Sequence, residues 1–166
     1  MVADGMLTRK RYREVPPRVD YDLTERAREL MPILGALARW GYDWVWSAPR
    51  SSEAVDIGAI FRLAPGLVHP ASGIAGTAEF TVTDAKAGGE AVSYALTVSG
   101  GRITLEERPA DRADARVSGD TGAWIAAFSP DHDRGGLQIS GDHALIESLL
   151  AGLAGRASQA TATAAA

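Results

Sequence analysis

Cysteine is absent from these 166 residues, so thiol catalysis, disulfides and cysteine-zinc sites are excluded. No run of 18 or more apolar residues occurs, and nothing reads as a membrane-spanning helix. The opening MVADGMLTRKRY contains no apolar signal segment, which leads to an expected cytoplasmic location. Catalytic motifs are missing as well: there is no G-x-S-x-G, H-E-x-x-H or P-loop, and Gly88-Gly89 and Gly100-Gly101 read as turn glycines. His69, His132 and His143 are scattered. Asp131-His132-Asp133 invites a metal, but adjacent loop ligands need further partners that no other motif supplies. Glu106 and Glu107 are neighbours on an expected strand and so point to opposite faces, which argues against shared acid–base work. No catalytic set, metal site or cofactor is expected. The chain reads as a binding protein and not as an enzyme.

What is present is ordinary in bulk and uneven in detail. With 46% hydrophobic and 23% charged residues, the chain can bury the core of one domain, or of a small domain with an appendage. Residues 1–40 hold 8 Lys/Arg against 6 Asp/Glu, and residues 41–166 hold 9 against 15, so a basic start precedes an acidic remainder. Arg9, Lys10, Arg11, Arg13 and Arg18 crowd into ten residues with one anion, Glu14. Such a patch on an acidic protein is a footprint of a phosphate-binding surface or, equally, a solvated hairpin.

Leu7, Tyr12, Val15, Val19 and Tyr21 alternate loosely with polar residues around Pro16-Pro17, which predicts two short strands and a projecting prolyl turn. Leu23, Ala27, Leu30, Met31, Leu34, Leu37 and Ala38 then repeat at helical spacing, capped by Thr24 or Asp22 and stopped at Gly41. Pro32 should kink or divide that helix. GYDWVWSAPRSS reads as a connection whose tryptophans pack at an interface. A helix is expected over 53–63, then a Pro/Gly-rich loop from Ala64 to Gly76 to which no helix is assigned. Strands are expected over 76–83, 91–98, 102–108, 115–119 and 137–140. Two of them end alike, Ser118-Gly119-Asp120 and Ser140-Gly141-Asp142, each aspartate standing where it can cap a following helix. Together these elements predict an α+β fold: a β-hairpin and long helix, followed by a mostly antiparallel five-stranded sheet with helices on one face. The expected divisions are 1–45, 46–153 and a flexible tail, 154–166. Phe61, Leu67, Phe80, Tyr94, Trp124, Ile125, Phe128 and Leu149 would fill the layer between helices and sheet or line a cavity in it.

The segment 4–41, DGMLTRKRYREVPPRVDYDLTERARELMPILGALARWG, resembles the wing and following helix of HxlR-type winged-helix regulators, related to the MarR group. Asp4-Gly5 before a basic strand, Val15-Pro16-Pro17-Arg18-Val19, Tyr21 and Leu23-Thr24 carry the likeness. The resemblance implies that Arg9, Lys10, Arg11, Arg13 and Arg18 touch DNA backbone or minor groove and that the helix helps form a homodimer. It also implies a preceding recognition helix. We therefore expect a truncated chain, whose own DNA binding is weak and non-specific because phosphate contacts do not read bases. Residues from about 53 to 153 resemble sterol carrier protein-type domains through Tyr94-Ala95-Leu96-Thr97-Val98, DARVSGDTGAWIAAF and the strand-GD-helix from Leu137 to Leu150. That likeness implies a lipid or other apolar small molecule held by Phe61, Leu67, Phe80, Tyr94, Trp124, Phe128 and Leu149. The expected function is a transcriptional regulator with an apolar-ligand sensor. Two alternatives stand beside it: a lipid carrier whose basic arm docks on an anionic membrane or protein, and a structural dimerisation module with a filled core.

Overall fold

The structure, a computed structural model, describes residues 1–12, 18–50, 53–84 and 90–154, with backbone alone for Arg18, Met31, Arg39, Tyr42 and Asp43. The expected prolyl turn and the tail beyond Ala154 lie outside these residues. Strands β1 (Leu7–Tyr12) and β2 (Arg18–Leu23) form an antiparallel ribbon, with Leu7 opposite Leu23 and Tyr12 opposite Arg18. Thr24 ends the ribbon and begins helix α1 (Glu25–Arg28). Its Oγ1 accepts the Ala27 N–H at 3.2 Å and donates to Gly5 O at 2.7 Å, so one hydroxyl ties helix start to ribbon base.

The helix expected from Leu23 to Gly41, with a kink or division at Pro32, is divided just before that proline. Helix α2 (Met31–Val45) starts anew, and Pro32 lies in its first turn, where a missing N–H costs no intrahelical bond. Gly41 does not stop it; the helix runs on for another turn through Trp44. Across the junction, Leu30 N–H donates to Ala27 O and Leu34 N–H to Leu30 O, so α1 and α2 follow each other closely.

Helix α3 (Ile57–Arg62) is shorter than the expected 53–63. A further helix, α4 (Ala64–Leu67), opens the stretch expected as a loop. Leu63 closes α3 and opens α4, and Pro65 occupies the first turn. Strands β3 (Gly76–Val82), β4 (Val92–Ser99) and β5 (Arg102–Glu106) form a meander. Strand β6 (Ala115–Gly119) leads to α5 (Thr121–Ala127), and β7 (Gln138–Gly141) leads to α6 (His143–Leu153). The sheet order is β5-β4-β3-β6-β7, antiparallel throughout except for the parallel β3–β6 pair.

Both Ser-Gly-Asp joints do what their residues suggest. Asp120 accepts the Ala123 N–H at 2.7 Å, and Asp142 accepts those of Ala144 and Leu145 at 2.9 and 3.1 Å. The glycines serve different ends. Gly141 has φ +89, and a Cβ there would lie 2.2 Å from Asp114 O; Gly119 has no such φ but abuts Leu137.

The period-two pattern places Ala78, Phe80, Val82, Tyr94, Leu96, Val98 and Val117 on the helix-covered face, all buried. The opposite face is hydroxyl-rich: Thr77 and Thr97 side chains meet at 2.9 Å, and Thr81 and Ser93 at 2.8 Å. Ala154, assigned to the tail from sequence, is buried after α6 and belongs to this core.

Candidate nucleic-acid interface and apolar layer

Ribbon register sorts the basic residues into two faces. Leu7, Arg9 and Arg11 alternate onto one face, opposite Leu23, Tyr21 and Val19. No carboxylate stands across from either arginine, and neither has an ion-pair partner among the described residues. Lys10 faces the other way, opposite Asp20 and diagonal to Asp22. Its ammonium lies over the Tyr12 ring, 5.1 Å from the centroid. Hydrogen bonding to Tyr12, then charge interaction with Tyr12, Asp22 and Asp20, raises its pKa above the ordinary lysine value. Among the described residues, one face therefore offers guanidinium charge with no acid opposite it, and the other, at whose register Arg18 also lies, sets Lys10 against Asp20. Of the five expected DNA-contacting residues, Arg9 and Arg11 share a face and Lys10 does not. Arg18 pairs in register with Tyr12, and Arg13 lies outside the described residues.

Helix α2 presents an uncovered apolar row. Leu30, Ile33, Leu37, Trp40 and Trp44 recur at alternating steps of three and four, and they are 40%, 62%, 60%, 54% and 76% exposed. This is the a/d spacing of a helix seam that meets another helix. Sequence periodicity marks the row as apolar, which ordinarily means core. Here no described residue covers it, and Trp44 and Trp46 are exposed where interface packing was expected of them. The opposite side of α2 holds Gly35, buried against α4. A Cβ at Gly35 would lie 2.9 Å from Gly66 O and 3.3 Å from Leu67 Cα.

All seven residues expected to hold an apolar ligand meet in one layer between α3–α6 and the sheet. Phe61 is its centre, with ring centroids of Trp124 at 4.9 Å, Tyr94 at 5.2 Å, Phe80 at 5.3 Å and Phe128 at 6.2 Å, all edge-on. Such T-shaped contacts each contribute about 0.5–1.5 kcal/mol beyond area burial. Phe61, Phe80, Trp124 and Leu149 have no exposed surface, so an incoming molecule must displace rings and not merely fill a space. The one indole N–H in the layer is satisfied, donating from Trp124 Nε1 to Thr81 O at 3.1 Å.

A charged clamp at the rim of this layer went unseen in the sequence. The Arg62 guanidinium donates to both Glu107 carboxylate oxygens, at 2.7 and 3.0 Å, and to Asp56 at 2.9 Å, pinning α3 to the end of β5. It sits over Tyr94, 5.8 Å from the ring centroid. The hydrogen bond from Arg62 holds the Glu107 carboxyl below its usual pKa, and burial raises the Tyr94 phenol. Arg62 and Glu107 are 45 positions apart, and only the fold joins them. Among the described residues no cluster of His, Asp and Glu could hold a metal. Nor is any helix of the described residues long and apolar enough to cross a membrane.

Residues 1–48 match the family model for the HxlR-like helix-turn-helix. The chain is 54% identical over 39 residues to an uncharacterised HTH-type transcriptional regulator of Halalkalibacterium halodurans, covering 24% of this chain and 34% of that protein. It is 51% identical over 39 residues to one of Methanothermobacter thermautotrophicus, covering 24% and 30%. The chain thus spans about a third of the length of the curated relatives it matches. Among solved structures, it is similar to palmitated SCP2L2 from Aedes aegypti, with 15% identity, TM-score 0.44, and coverage of 60% of this chain and 95% of that one. It is also similar to a double mutant of the sec-alkyl sulfatase PisA1, with 18% identity, TM-score 0.49, and coverage of 60% and 16%.

Proposed function

We propose that this chain acts in transcriptional regulation, as a homodimer whose ribbons contact DNA backbone and whose α+β portion responds to an apolar small molecule or lipid. The observation that carries the DNA reading is the ribbon face of Arg9 and Arg11, two guanidinium groups with no acid opposite them. A surface built only for solubility would have no reason to leave one face unneutralised while balancing Lys10 on the other. Arg13 joins them in the proposal, whereas Arg18, paired with Tyr12, holds a register position of the Lys10 face. Arginine suits the task because its planar fork can take a phosphate through two donors. The match of residues 1–48 to the HxlR-like model supports the same reading.

The bare row on α2 favours a second copy of this chain as its partner. Two such rows, each with a/d spacing, bury one another when the helices pair. The sensor reading draws its support from the largely apolar layer around Phe61, to which the short helices α3 and α4 contribute Ile57, Phe61, Ala64 and Leu67. Ligand binding there has to part the layer, since the rings are already in contact.

A structural dimerisation module is the second reading, favoured by the zero exposure of Phe61, Phe80 and Trp124. Native mass spectrometry of the purified chain, with and without added palmitate, separates the two. A dimer that retains palmitate, or carries an apolar molecule of its own, is the expected result. A dimer that stays empty at saturating palmitate leaves the structural module in place of the sensor, and a monomer at micromolar concentration refutes the proposed pairing of α2.

A further inference from the structure

We infer that the crossing of α2 over α4, at Gly35 and Gly66, is the mechanical joint through which changes in the aromatic layer reach the ribbon. The inference deepens the regulator reading above and rests on it for biological meaning, though not for its physical test.

The joint is built from close approaches on both sides of α4. On one side is Gly35 of α2, where a Cβ would come within 2.9 Å of Gly66 O. On the other is Gly152 of α6, where a Cβ would come within 2.5 Å of Val68 Cγ1. Helix α4 and Val68 are thus held between two glycines, with no side chain on either to act as a cushion. Close-packed contacts of this kind transmit displacement, because the interior has little compressibility. Glycine inside a helix costs about as much as any ordinary residue can, so Gly35 in the middle of α2 calls for a packing reason. The approach to Gly66 provides one.

The connections outward from the joint are short and continuous. Toward the core, Leu63 is shared by α3 and α4, and the residue two before it is Phe61, the hub of four ring contacts. Phe61 cannot leave its place without moving α3, and α4 follows through Leu63. Toward the ribbon, α2 continues into α1 through the Leu34-to-Leu30 and Leu30-to-Ala27 hydrogen bonds. Thr24 then fastens α1 to the ribbon base through Gly5 O and Ala27 N–H. Gly35 acts here as a positioning residue, since it meets the layer only at the backbone of Gly66 and Leu67 and does not touch the proposed DNA face. A run of packed contacts becomes a coupling path only when perturbing one end is felt at the other.

Amide hydrogen exchange on the full chain, in a double-mutant cycle of Phe61→Leu and Gly35→Ala, tests it. Gly35→Ala raises helix propensity and forces α2 away from Gly66, which separates joint from fold. The expected result is that Phe61→Leu speeds exchange of the Leu34–Leu37 amides at least threefold in the Gly35 chain and by less than half that factor in the Gly35→Ala chain. Effects of Phe61→Leu confined to α3, α5 and the sheet, or equal in both backgrounds, overturn the inference. Should Phe61→Leu unfold the chain globally, Tyr94→Phe gives the same comparison. It removes only the hydroxyl that would lie 2.0 Å from a Cβ on Gly58 in α3. Calorimetric titration with palmitate is read separately: absence of heat refutes the sensor reading, and the exchange cycle alone decides the coupling.

Discussion

Replacing single cations of the ribbon tests its two-faced character. In the proposed dimer, Arg9 and Arg11 together would present four guanidinium groups to phosphate. Each neutralised phosphate contributes about 0.9 to the slope of log K against log salt on duplex DNA, so these four contribute about 3.6. That corresponds to a roughly 150-fold loss of affinity between 50 and 200 mM salt from these residues alone. Arg9→Ala or Arg11→Ala removes two contacts per dimer and should flatten the slope by about 1.8. Lys10→Ala, opposite Asp20 and over Tyr12, should change it by less than about 0.4, because that charge is engaged within the ribbon. Fluorescence anisotropy of a labelled duplex across a salt series measures all three. Two duplexes of unrelated sequence should give the same differences, since phosphates carry no sequence information. Equal flattening by Lys10→Ala and Arg11→Ala would refute the assignment of faces, and unchanged slopes for both arginine variants would remove the ribbon from the interface.

Leu37→Glu, at the centre of the bare row on α2, should leave the α+β core folded by circular dichroism and shift the chain to monomer in sedimentation velocity; an unchanged dimer assigns pairing to another surface. Asp142→Ala, which strips two N–H groups of α6 of their acceptor, should lower stability by about 1–2 kcal/mol in urea titration, with Asp120→Ala at or below the lower end. Glu107 has a lowered carboxyl pKa, so its ion pair stabilises the fold above the ordinary carboxylate value of 4.5 and is lost as pH falls through the lowered one. With that side chain 47% exposed, solvent screening limits the effect, and between pH 7 and pH 3 the wild type should lose about 0.5 kcal/mol more than Glu107→Gln. A Glu107→Gln chain with the same pH dependence as wild type would show that the clamp is energetically idle.

How far the sequence could be read depended on how local each signal was. Strand alternation and the two Ser-Gly-Asp joints are governed by neighbours within a few positions, and the elements stand within two residues or so of where the pattern put them. Pro32, expected to kink or divide a helix, stands at such a division, in the first turn of α2. Helix α4 was missed because a four-residue helix with a proline and a glycine has no period to detect, and it exists by packing on α2, β5 and α6. The end of α2 was misplaced because Gly41, a common stop, is here an interior residue of a helix that carries on to Trp44 and Val45.

The site divides in the same way. That basic residues crowd near the start is composition, and legible. That Arg9 and Arg11 share a face with no acid while Lys10 meets Asp20 depends on the register across a turn, which composition does not encode. Convergence of Phe61, Tyr94 and Trp124 was legible as apolar spacing, whereas the edge-on contact of the other two rings with Phe61 was not. The Arg62–Glu107 pair had no local signal.

The bare row on α2 also links action to abundance. Under the proposed pairing of α2, five apolar side chains leave water when two copies meet, so the melting temperature should climb as the protein is concentrated. Well below the dissociation constant, the paired fraction rises with total chain, so paired material grows as the square of how much is made. On the proposed function, dosage alone would then set how many ribbons act in pairs, before any small molecule arrives.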